Sequence, residues 1–350
     1  MSLNLTVDGD RWRRHLRQLA EAQPGLVPVV KGNGYGFTLG RLARKSAWLG
    51  ADTIAVGTYD ELPDVASRFD GSLLVLSPWR PFRDDLAPDL AKRVIHTVGR
   101  VEDVDALLTR QPEARFVLEL LTSMKRHGLV ARDLWAVPEH LARHRAARLE
   151  GVALHLPLAQ GSHLGEVRRL VNDAVAAGLP GLDTLWVSHL TASELATMRT
   201  SYADFTIRPR IGTDLWLGDR GALQVTATVL DVHDLERGDA FGYRARTAPK
   251  SGHLLVVSGG TAHGIGLEAP TGDQSMKARA ATLARGGLDA VGFVRSPFSI
   301  DGKQRLFAEP PHMQASMLFV PSGARVPQVG DEIDVRVRYT ATTFDRVVVT

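Results

Sequence analysis

Between residues 25 and 212, short apolar runs alternate with amphipathic stretches rich in Ala, Leu and Arg. Eight of the runs predict strands: Val27–Lys31, Thr53–Gly57, Leu73–Ser77, Val94–Val98, Arg115–Leu121, Gly151–Leu156, Thr184–His189 and Phe205–Gly212. The stretches between them predict helices, among them Gly40–Leu49, one beginning at Tyr59, Val101–Leu108, Ala131–Ala147 and Ser162–Ala177. Near-continuous apolar strands separated by helices are typical of a parallel sheet covered by helices.

Eight strand–helix units of this short length predict a compact (β/α)8 barrel of the TIM type. The alternative is an open, doubly wound sheet. That fold normally carries a glycine-rich signature that binds a dinucleotide or a phosphate, and no such signature follows the predicted strands. The barrel is therefore the favoured fold.

The hydrophobic pattern changes near Gly218–Gly221. Beyond this point apolar residues alternate with polar ones, as at Ile333, Val335, Val337 and Tyr339. Such alternation predicts a mainly antiparallel β domain. We therefore expect a barrel domain over residues 1–220 and a C-terminal β domain over residues 221–350. Residues 274–311 fit neither pattern, and we interpret them as an excursion from the β domain.

The composition is that of a globular protein, with 44% hydrophobic and 23% charged residues. The chain contains no cysteine, which excludes disulfides, thiolate metal sites and catalytic thiols. The net charge is +3 without a dense Lys/Arg cluster, so we expect no nucleic-acid partner. No apolar run is long enough to span a membrane, and the first residues lack a signal-peptide pattern. These features predict a cytoplasmic protein.

In a β/α barrel the chemistry lies at the carboxyl ends of the strands. Lys31 closes the first apolar strand, where desolvation disfavours the ammonium form and favours a nucleophilic amine. The other predicted strand ends add polar groups to the same face: His155, Ser193, Arg208, Arg210 and the backbone at Gly212. Taken singly, each has a structural explanation, such as a surface salt bridge. Together they suit a phosphorylated aldehyde held as an imine.

Six motifs occur in the order found in one known family. They are Lys31-Gly32-Asn33-Gly34-Tyr35-Gly36, Ser123-Met124-Lys125-Arg126-His127-Gly128, His189-Leu190-Thr191-Ala192-Ser193, Arg210-Ile211-Gly212-Thr213, Gly238-Asp239-Ala240-Phe241-Gly242-Tyr243, and Met313 with Met317. In these motifs the chain resembles alanine racemase and its barrel-type relatives that depend on pyridoxal 5'-phosphate. The resemblance implies a cytoplasmic amino-acid racemase that acts as a head-to-tail homodimer and needs no metal.

The resemblance also implies a role for each matched residue. Lys31 forms the imine with the cofactor and is one of two acid/base groups. Tyr243 is the other, and it reaches the site from the opposite subunit. Arg210 faces the pyridine nitrogen and His155 lies against the ring. The phosphate is held by Tyr35, Ser193, Gly212 and Thr213. The amino-acid substrate is contacted by Arg126 and by the backbone of Met313, the latter from the second subunit.

These roles imply racemisation by two bases on opposite faces of the substrate, one removing the α-proton and the other returning a proton. Some motif positions differ from the family: Gln314 stands where an aspartate is usual, and Ser258–Gly264 replaces a GYADG-like loop. Two alternatives therefore stay open. One is another barrel-type pyridoxal-phosphate enzyme, a decarboxylase or an eliminase. The other is a non-catalytic protein that binds the cofactor.

Glu119 occupies a strand position at which many family members carry a carbamylated lysine. It alternates in step with Val117 and Leu121, so its face of the strand is apolar and buried. A buried carboxylate needs a cationic partner. We therefore predict an ion pair between Glu119 and Arg126. The alternative is that Glu119 points outward between strand and helix and meets solvent or another base.

Overall fold

The computed structural model describes residues 2–158, 161–267 and 294–350. The α-helices in these residues are α1 (Gly9–Ala22), α2 (Leu39–Trp48), α3 (Leu62–Ala66), α4 (Pro88–Ala91), α5 (Val101–Arg110), α6 (Ala131–Leu134), α7 (Val137–Arg143), α8 (Leu164–Ala176), α9 (Ala192–Ser201) and α10 (Thr213–Leu217). The strands are β1 (Leu3–Val7), β2 (Val27–Pro28), β3 (Thr53–Val56), β4 (Ser72–Pro78), β5 (Val94–Val98), β6 (Arg115–Leu120), β7 (Arg148–His155), β8 (Thr184–Ser188), β9 (Thr206–Ile211), β10 (Leu223–Leu235), β11 (Ala240–Phe241), β12 (Arg246–Thr247), β13 (Gly252–Ser258), β14 (Arg295–Ile300), β15 (Lys303–Phe307), β16 (Ala315–Pro321), β17 (Glu332–Val335) and β18 (Arg346–Val349). Within the described residues, no helix has the length and apolar character needed to cross a membrane.

Strands β2 to β9 form a parallel eight-stranded sheet in the order β2-β9-β8-β7-β6-β5-β4-β3. A parallel bridge between Val29 and Ala55 joins the two ends, so the sheet closes into the predicted (β/α)8 barrel. Side chains from seven of the strands, β2 to β8, and from Val29 just after β2 pack in its interior: Val27, Val29, Ala55, Leu74, Ile95, Val117, Ala153 and Trp186. The interior is thus packed, and the carboxyl ends of the strands remain free to carry a site.

Two predicted elements of the barrel are shorter than expected. The helix predicted over residues 131–147 is divided into α6 and α7, with Pro138 in the first turn of α7. Proline has no backbone N–H and disfavours helical geometry in the preceding residue, which explains the interruption. The first strand ends at Pro28, and the chain beyond it is held by single contacts, such as the hydrogen bond from Val30 N to Ala55 O at 2.7 Å.

The remaining strands, apart from the small β11–β12 hairpin, form a second sheet in the order β13-β16-β15-β14-β17-β10-β1-β18. All its pairings are antiparallel except that of β1 with β18. Because the long strand β10 also pairs with β13, six of the strands close into a ring. This agrees with the predicted antiparallel β domain.

The compact units of the chain differ from the expected domains at the N-terminus. Residues 13–218 form the barrel unit, and residues 2–12 belong with residues 219–350. Strand β1 explains this, since its apolar residues pair with β10. The predicted excursion is also wrong in part, because residues 294–311 contain strands β14 and β15 of the sheet. Residues 274–293 lie outside the described residues.

Candidate functional site

Lys31 lies at the mouth of the barrel, just beyond β2. Its Nζ makes no hydrogen bond or ion pair with any described residue. Desolvation by the surrounding barrel, and then the cations Arg126 and Arg210, lower the pKa of Lys31, while Glu61 opposes this effect. A free amine with a lowered pKa is the form that attacks a carbonyl group.

Glu61, which was not predicted as a site residue, fixes the loop that carries Lys31. Its carboxylate accepts hydrogen bonds from Gly32 N at 2.7 Å, Gly57 N at 2.6 Å and Thr58 N at 3.3 Å. A side chain at Gly57 would crowd both Glu61 and Lys31, with contacts of 3.1 Å from its Cβ. The carboxylate thus joins the ends of two neighbouring barrel strands. The capping pattern Thr58–Glu61 was the available sequence signal.

Replacing Glu61 with glutamine will lower the pKa of Lys31 further, because the substitution removes an anion that stabilises the ammonium form. The rate at which the chain binds pyridoxal phosphate covalently, trapped by borohydride at a series of pH values, measures this. We expect its midpoint to move to lower pH. The variant Glu102→Gln, at an exposed pair with Arg100, is the control. An unchanged midpoint for Glu61→Gln would contradict the assigned influence.

Arg210 and Glu119 form a buried ion pair inside the barrel, with 3.8 Å between Arg210 Nη1 and Glu119 Oε2. The two residues are 4% and 3% exposed. The predicted pairing of Glu119 with Arg126 is therefore wrong: Arg126 is exposed at the mouth and acts on Glu119 only at longer range. Arg210 lies on the interior face of β9, directly within reach of the strand that carries Glu119, and this accounts for the exchange of partners.

Arg208 does not join this group. Its side chain lies on the same interior face of β9, but two residues nearer the amino ends of the strands. There it pairs with Asp52 at 3.0 Å and packs over the Trp186 ring. Both arginines were predicted at the site because they lie on one strand. Alternation puts them on the same face and the strand rise puts them at different depths, so only Arg210 approaches the mouth.

The Arg210 guanidinium keeps unused donors despite its burial. Nη2 donates to Leu154 O at 3.0 Å, whereas Nε and Nη1 have no hydrogen-bond partner among the residues that the structure describes. Burial lowers the pKa of Arg210 and the nearby Glu119 raises it. Buried donors without partners are rare in folded proteins, and a bound ligand is one way in which their hydrogen bonding is completed.

Tyr35 and Gly212 fit together at the mouth of the barrel. Tyr35 is 5% exposed and its backbone is left-handed, with φ 54° and ψ 27°. Burial, followed by the influence of Glu61, raises the pKa of Tyr35, so its hydroxyl stays protonated as a donor. A Cβ at Gly212 would overlap that hydroxyl and lie 2.9 Å from Cζ. Gly212 is therefore needed for Tyr35 to reach its position.

The substitution Gly212→Ala will displace the Tyr35 side chain and weaken the binding of a phosphorylated cofactor by about tenfold or more, the cost of overpacking a filled site. Titration of the protein with pyridoxal phosphate measures the loss. Gly165→Ala is the matched control, because Gly165 lies in helix α8 and no atom of another described residue comes within 4 Å of the added Cβ. Equal affinities for both variants would contradict the assigned contact.

His155 ends β7 and is held by its neighbours. Its Nδ1 lies 2.7 Å from Ser188 Oγ, and its ring is 4.9 Å from that of His189. Burial and the nearby cations Arg210 and Arg126 lower the pKa of His155 to about 3, so the ring is neutral. His189, at φ 62°, donates from Nδ1 to Leu156 O at 2.6 Å. A neutral, fixed ring suits packing against a flat cofactor better than proton transfer.

The other predicted residues of the barrel are exposed beyond the strand ends. Ser193 lies in the first turn of α9, with Oγ 3.1 Å from Thr191 Oγ1. Thr213 begins α10 directly after Gly212. Both first turns present backbone N–H groups that have no helical partner. The predicted residues Lys31, Tyr35, Arg126, His155, Ser193, Arg210, Gly212 and Thr213 thus lie at or beyond the carboxyl ends of barrel strands, whereas Arg208 lies deeper.

Tyr243 and Met313 lie in the other unit and share a cleft of about 650 Å³. Both side chains are open to solvent, at 86% and 72% exposure. Exposed large side chains gathered in a cleft are typical of a surface that meets a partner or a ligand. The predicted pair is thus placed together on the β unit.

His312 and Glu309 line the same cleft and were not predicted. The His312 ring is 4.5 Å from the Tyr243 ring, and its Nε2 lies 2.6 Å from Glu309 Oε1. Glu309 is 3% exposed and also accepts a hydrogen bond from Tyr243 N at 3.0 Å. The sequence signal available was the run Glu309–Met313 itself, in which two prolines fix the spacing between an acid and a histidine.

Known proteins resemble this chain over both units. The family model described as alanine racemase, N-terminal domain, matches residues 7–218. The alanine racemase of Nitratidesulfovibrio vulgaris is 26% identical over 269 residues, covering 71% of this chain and 72% of the relative. The alanine racemase of Mycolicibacterium vanbaalenii is 29% identical over 285 residues, covering 74% and 72%.

Solved structures share the fold. An alanine racemase from Bartonella henselae with covalently bound pyridoxal phosphate superposes with a TM-score of 0.73 at 17% identity, covering 100% of both chains. A histidine racemase from Leuconostoc mesenteroides subsp. sake gives a TM-score of 0.65 at 16% identity, covering 100% of this chain and 98% of that one. The barrel followed by a β domain is therefore the architecture of these proteins.

Proposed function

The chain belongs to the alanine racemase family, and we propose that it racemises an amino acid with Lys31 and Tyr243 as the two groups that remove and return the α-proton. The cofactor of the family is pyridoxal 5'-phosphate. The observation that carries the proposal is the barrel mouth, where the free Lys31 amine lies among Arg210, His155, Tyr35 and Gly212.

These residues fit the cofactor. The free Nε and Nη1 of Arg210 would face the pyridine nitrogen, and the neutral His155 ring would lie against the flat face. The phosphate would be held by the Tyr35 hydroxyl, Ser193 and the backbone at Gly212 and Thr213. When bound, the cofactor supplies an electron sink for the negative charge that develops at the α-carbon. A cation beside the ring nitrogen disfavours its protonation and so favours prompt return of the proton.

Glu119 supports Arg210 in this role. Glu119 is paired with the Arg210 guanidinium inside the barrel and balances its buried positive charge. The one hydrogen bond of this guanidinium to a described residue is that from Nη2 to Leu154 O. Burial raises the pKa of Glu119, whereas Arg210 and then Arg126 lower it. A charge held in a dry interior orients its partner strongly. We propose that Glu119 orients the guanidinium group of Arg210. We also propose that the exposed Arg126 contacts the substrate carboxylate.

Lys31 holds and releases a proton at Nζ. Its lowered pKa increases the fraction of neutral amine, which is the form that accepts the proton. Glu61 limits the shift and keeps the ammonium form available to give a proton back. One group alone can act on one face of the α-carbon only. Inversion of configuration therefore calls for a second group on the opposite face.

Tyr243 is proposed as that second group, delivered by a partner copy in a head-to-tail homodimer. The exposure of both Tyr243 and Met313 in one cleft supports this arrangement, since an isolated β unit gives them nothing to act on. The Met313 backbone would border the substrate. The dimer and the cytoplasmic location remain predictions.

Incubation of the protein with pyridoxal phosphate and each of a panel of amino acids, followed by chiral chromatography, tests the function. We expect one or a few amino acids to reach equal amounts of both enantiomers. The panel is needed because Gln314 and Ser258–Gly264 differ from the usual motifs. Loss of carbon dioxide or formation of a keto acid without racemisation would indicate a decarboxylase or an eliminase. A bound cofactor without turnover would indicate a binding protein.

A further inference from the structure

Tyr243 stands on a short hairpin formed by β11 and β12, in a turn that starts at Gly242. With 86% of its surface exposed, the side chain has little packing to hold it. A group that transfers a proton must be held within a fraction of an ångström of its working position. Some neighbouring group must therefore restrain the Tyr243 ring.

Glu309 lies beneath this turn, and its carboxylate contacts both the backbone of Tyr243 and the ring of His312. Its Oε2 accepts the hydrogen bond from Tyr243 N at 3.0 Å, and its Oε1 lies 2.6 Å from His312 Nε2. Gly242, at φ 73°, makes room for the carboxylate, because a Cβ there would overlap Oε2 and lie 2.8 Å from Oε1. One buried carboxylate thus fixes both the backbone of Tyr243 and the ring of His312.

His312 completes the arrangement with its ring. The centroids of the His312 and Tyr243 rings are 4.5 Å apart at an interplanar angle of 51°, a separation at which aromatic rings attract each other. Pro310 and Pro311 stiffen the backbone between Glu309 and His312. The imidazole therefore presents a fixed surface against which the Tyr243 ring packs.

We infer that Glu309 and His312 are positioning residues that orient the Tyr243 side chain for proton transfer. This inference rests on the proposed function, in which Tyr243 is the second acid/base group. Neither residue is proposed to contact the α-carbon. Their loss will therefore impair only the half of the reaction that uses Tyr243, whereas the half that uses Lys31 will continue.

Exchange of the α-proton with deuterium from the solvent separates the two halves. Each enantiomer is incubated alone with the holoenzyme in D2O, and its initial rate of deuterium uptake is measured by NMR, per mole of bound cofactor. The ratio of the two rates reports on the balance between Lys31 and Tyr243. A variant that is merely less stable lowers both rates together and leaves the ratio unchanged.

We expect His312→Ala and Glu309→Gln to shift this ratio by about tenfold or more, the order of loss that small displacements cause. The shift should have the same direction as in Tyr243→Phe. His312→Phe retains an aromatic ring against Tyr243, so its ratio of rates should lie between those of His312→Ala and the wild type. This variant also tests the inference if the Glu309 variant fails to fold. His253→Ala is the control, because His253 pairs with Asp234 at 2.9 Å and its side-chain exposure of 29% matches the 27% of His312.

The inference is overturned if Tyr243→Phe shifts the ratio and the three Glu309 and His312 variants keep the wild-type ratio. If Tyr243→Phe itself leaves the ratio unchanged, Tyr243 is not a base, and the proposed function fails together with the inference. Equal shifts in His253→Ala would also overturn it, since the effect would then belong to the β unit as a whole.

Discussion

The variant Lys31→Ala will lose covalent attachment of pyridoxal phosphate and all racemisation. Lys31 lies just beyond the first barrel strand, and desolvation, followed by the cations Arg126 and Arg210, lowers the pKa of its amine. The reduced wild-type protein should carry the cofactor on the peptide that contains Lys31, as read by mass spectrometry after borohydride treatment. The variant should carry none.

Lys92→Ala is the control, because Lys92 is exposed beyond α4 and far along the chain from the site. It should keep full attachment and activity. Attachment that persists in Lys31→Ala at a defined second lysine would show that the barrel mouth is not the site. Loss of attachment in both variants would point to damage of the fold, which circular dichroism would reveal.

The variant Tyr243→Phe will keep the cofactor and lose racemase activity by about 10²–10⁴-fold, the usual contribution of an acid/base group. The two enantiomers of an amino acid have equal free energies, so kcat/KM must fall by the same factor in both directions. The asymmetry appears instead in exchange with the solvent: one enantiomer should still take up deuterium through Lys31, and the other should not.

Tyr202→Phe serves as the control, since Tyr202 packs edge-on against Phe205 in the barrel unit and has no role in the mechanism. It should behave as the wild type. Unchanged racemisation in Tyr243→Phe would remove this residue from the mechanism, and another group would have to act on the second face of the α-carbon.

The sequence predicted the barrel because periodicity changes sharply between its strands and helices, and the structure confirms it. Strand β1 was not predicted in the β unit, since nothing in Leu3–Val7 says which sheet it will join. That choice is made by pairing with β10, more than two hundred residues away along the chain. Local patterns specify elements, whereas pairing between distant segments depends on the whole fold.

The same limit applies to side-chain partners. Motifs identified Lys31 and Arg210 by their order along the chain, but the partner of Glu119 depends on depth inside the barrel, and the prediction of Arg126 was wrong. Glu61, Glu309 and His312 act on predicted residues through contacts that join separate segments. The sequence signals for these contacts were limited to the capping pattern at Glu61 and the two prolines between Glu309 and His312.

Two-base racemisation is tested most directly by the isotope content of the product. The wild-type holoenzyme is given a single enantiomer of its best substrate in D2O, and the first few per cent of the opposite enantiomer are separated and analysed. We expect this product to carry deuterium at the α-carbon, because the proton removed by one base is replaced by a deuteron from the other. A product that retains the original α-proton, or the absence of any opposite enantiomer across the panel, would contradict it.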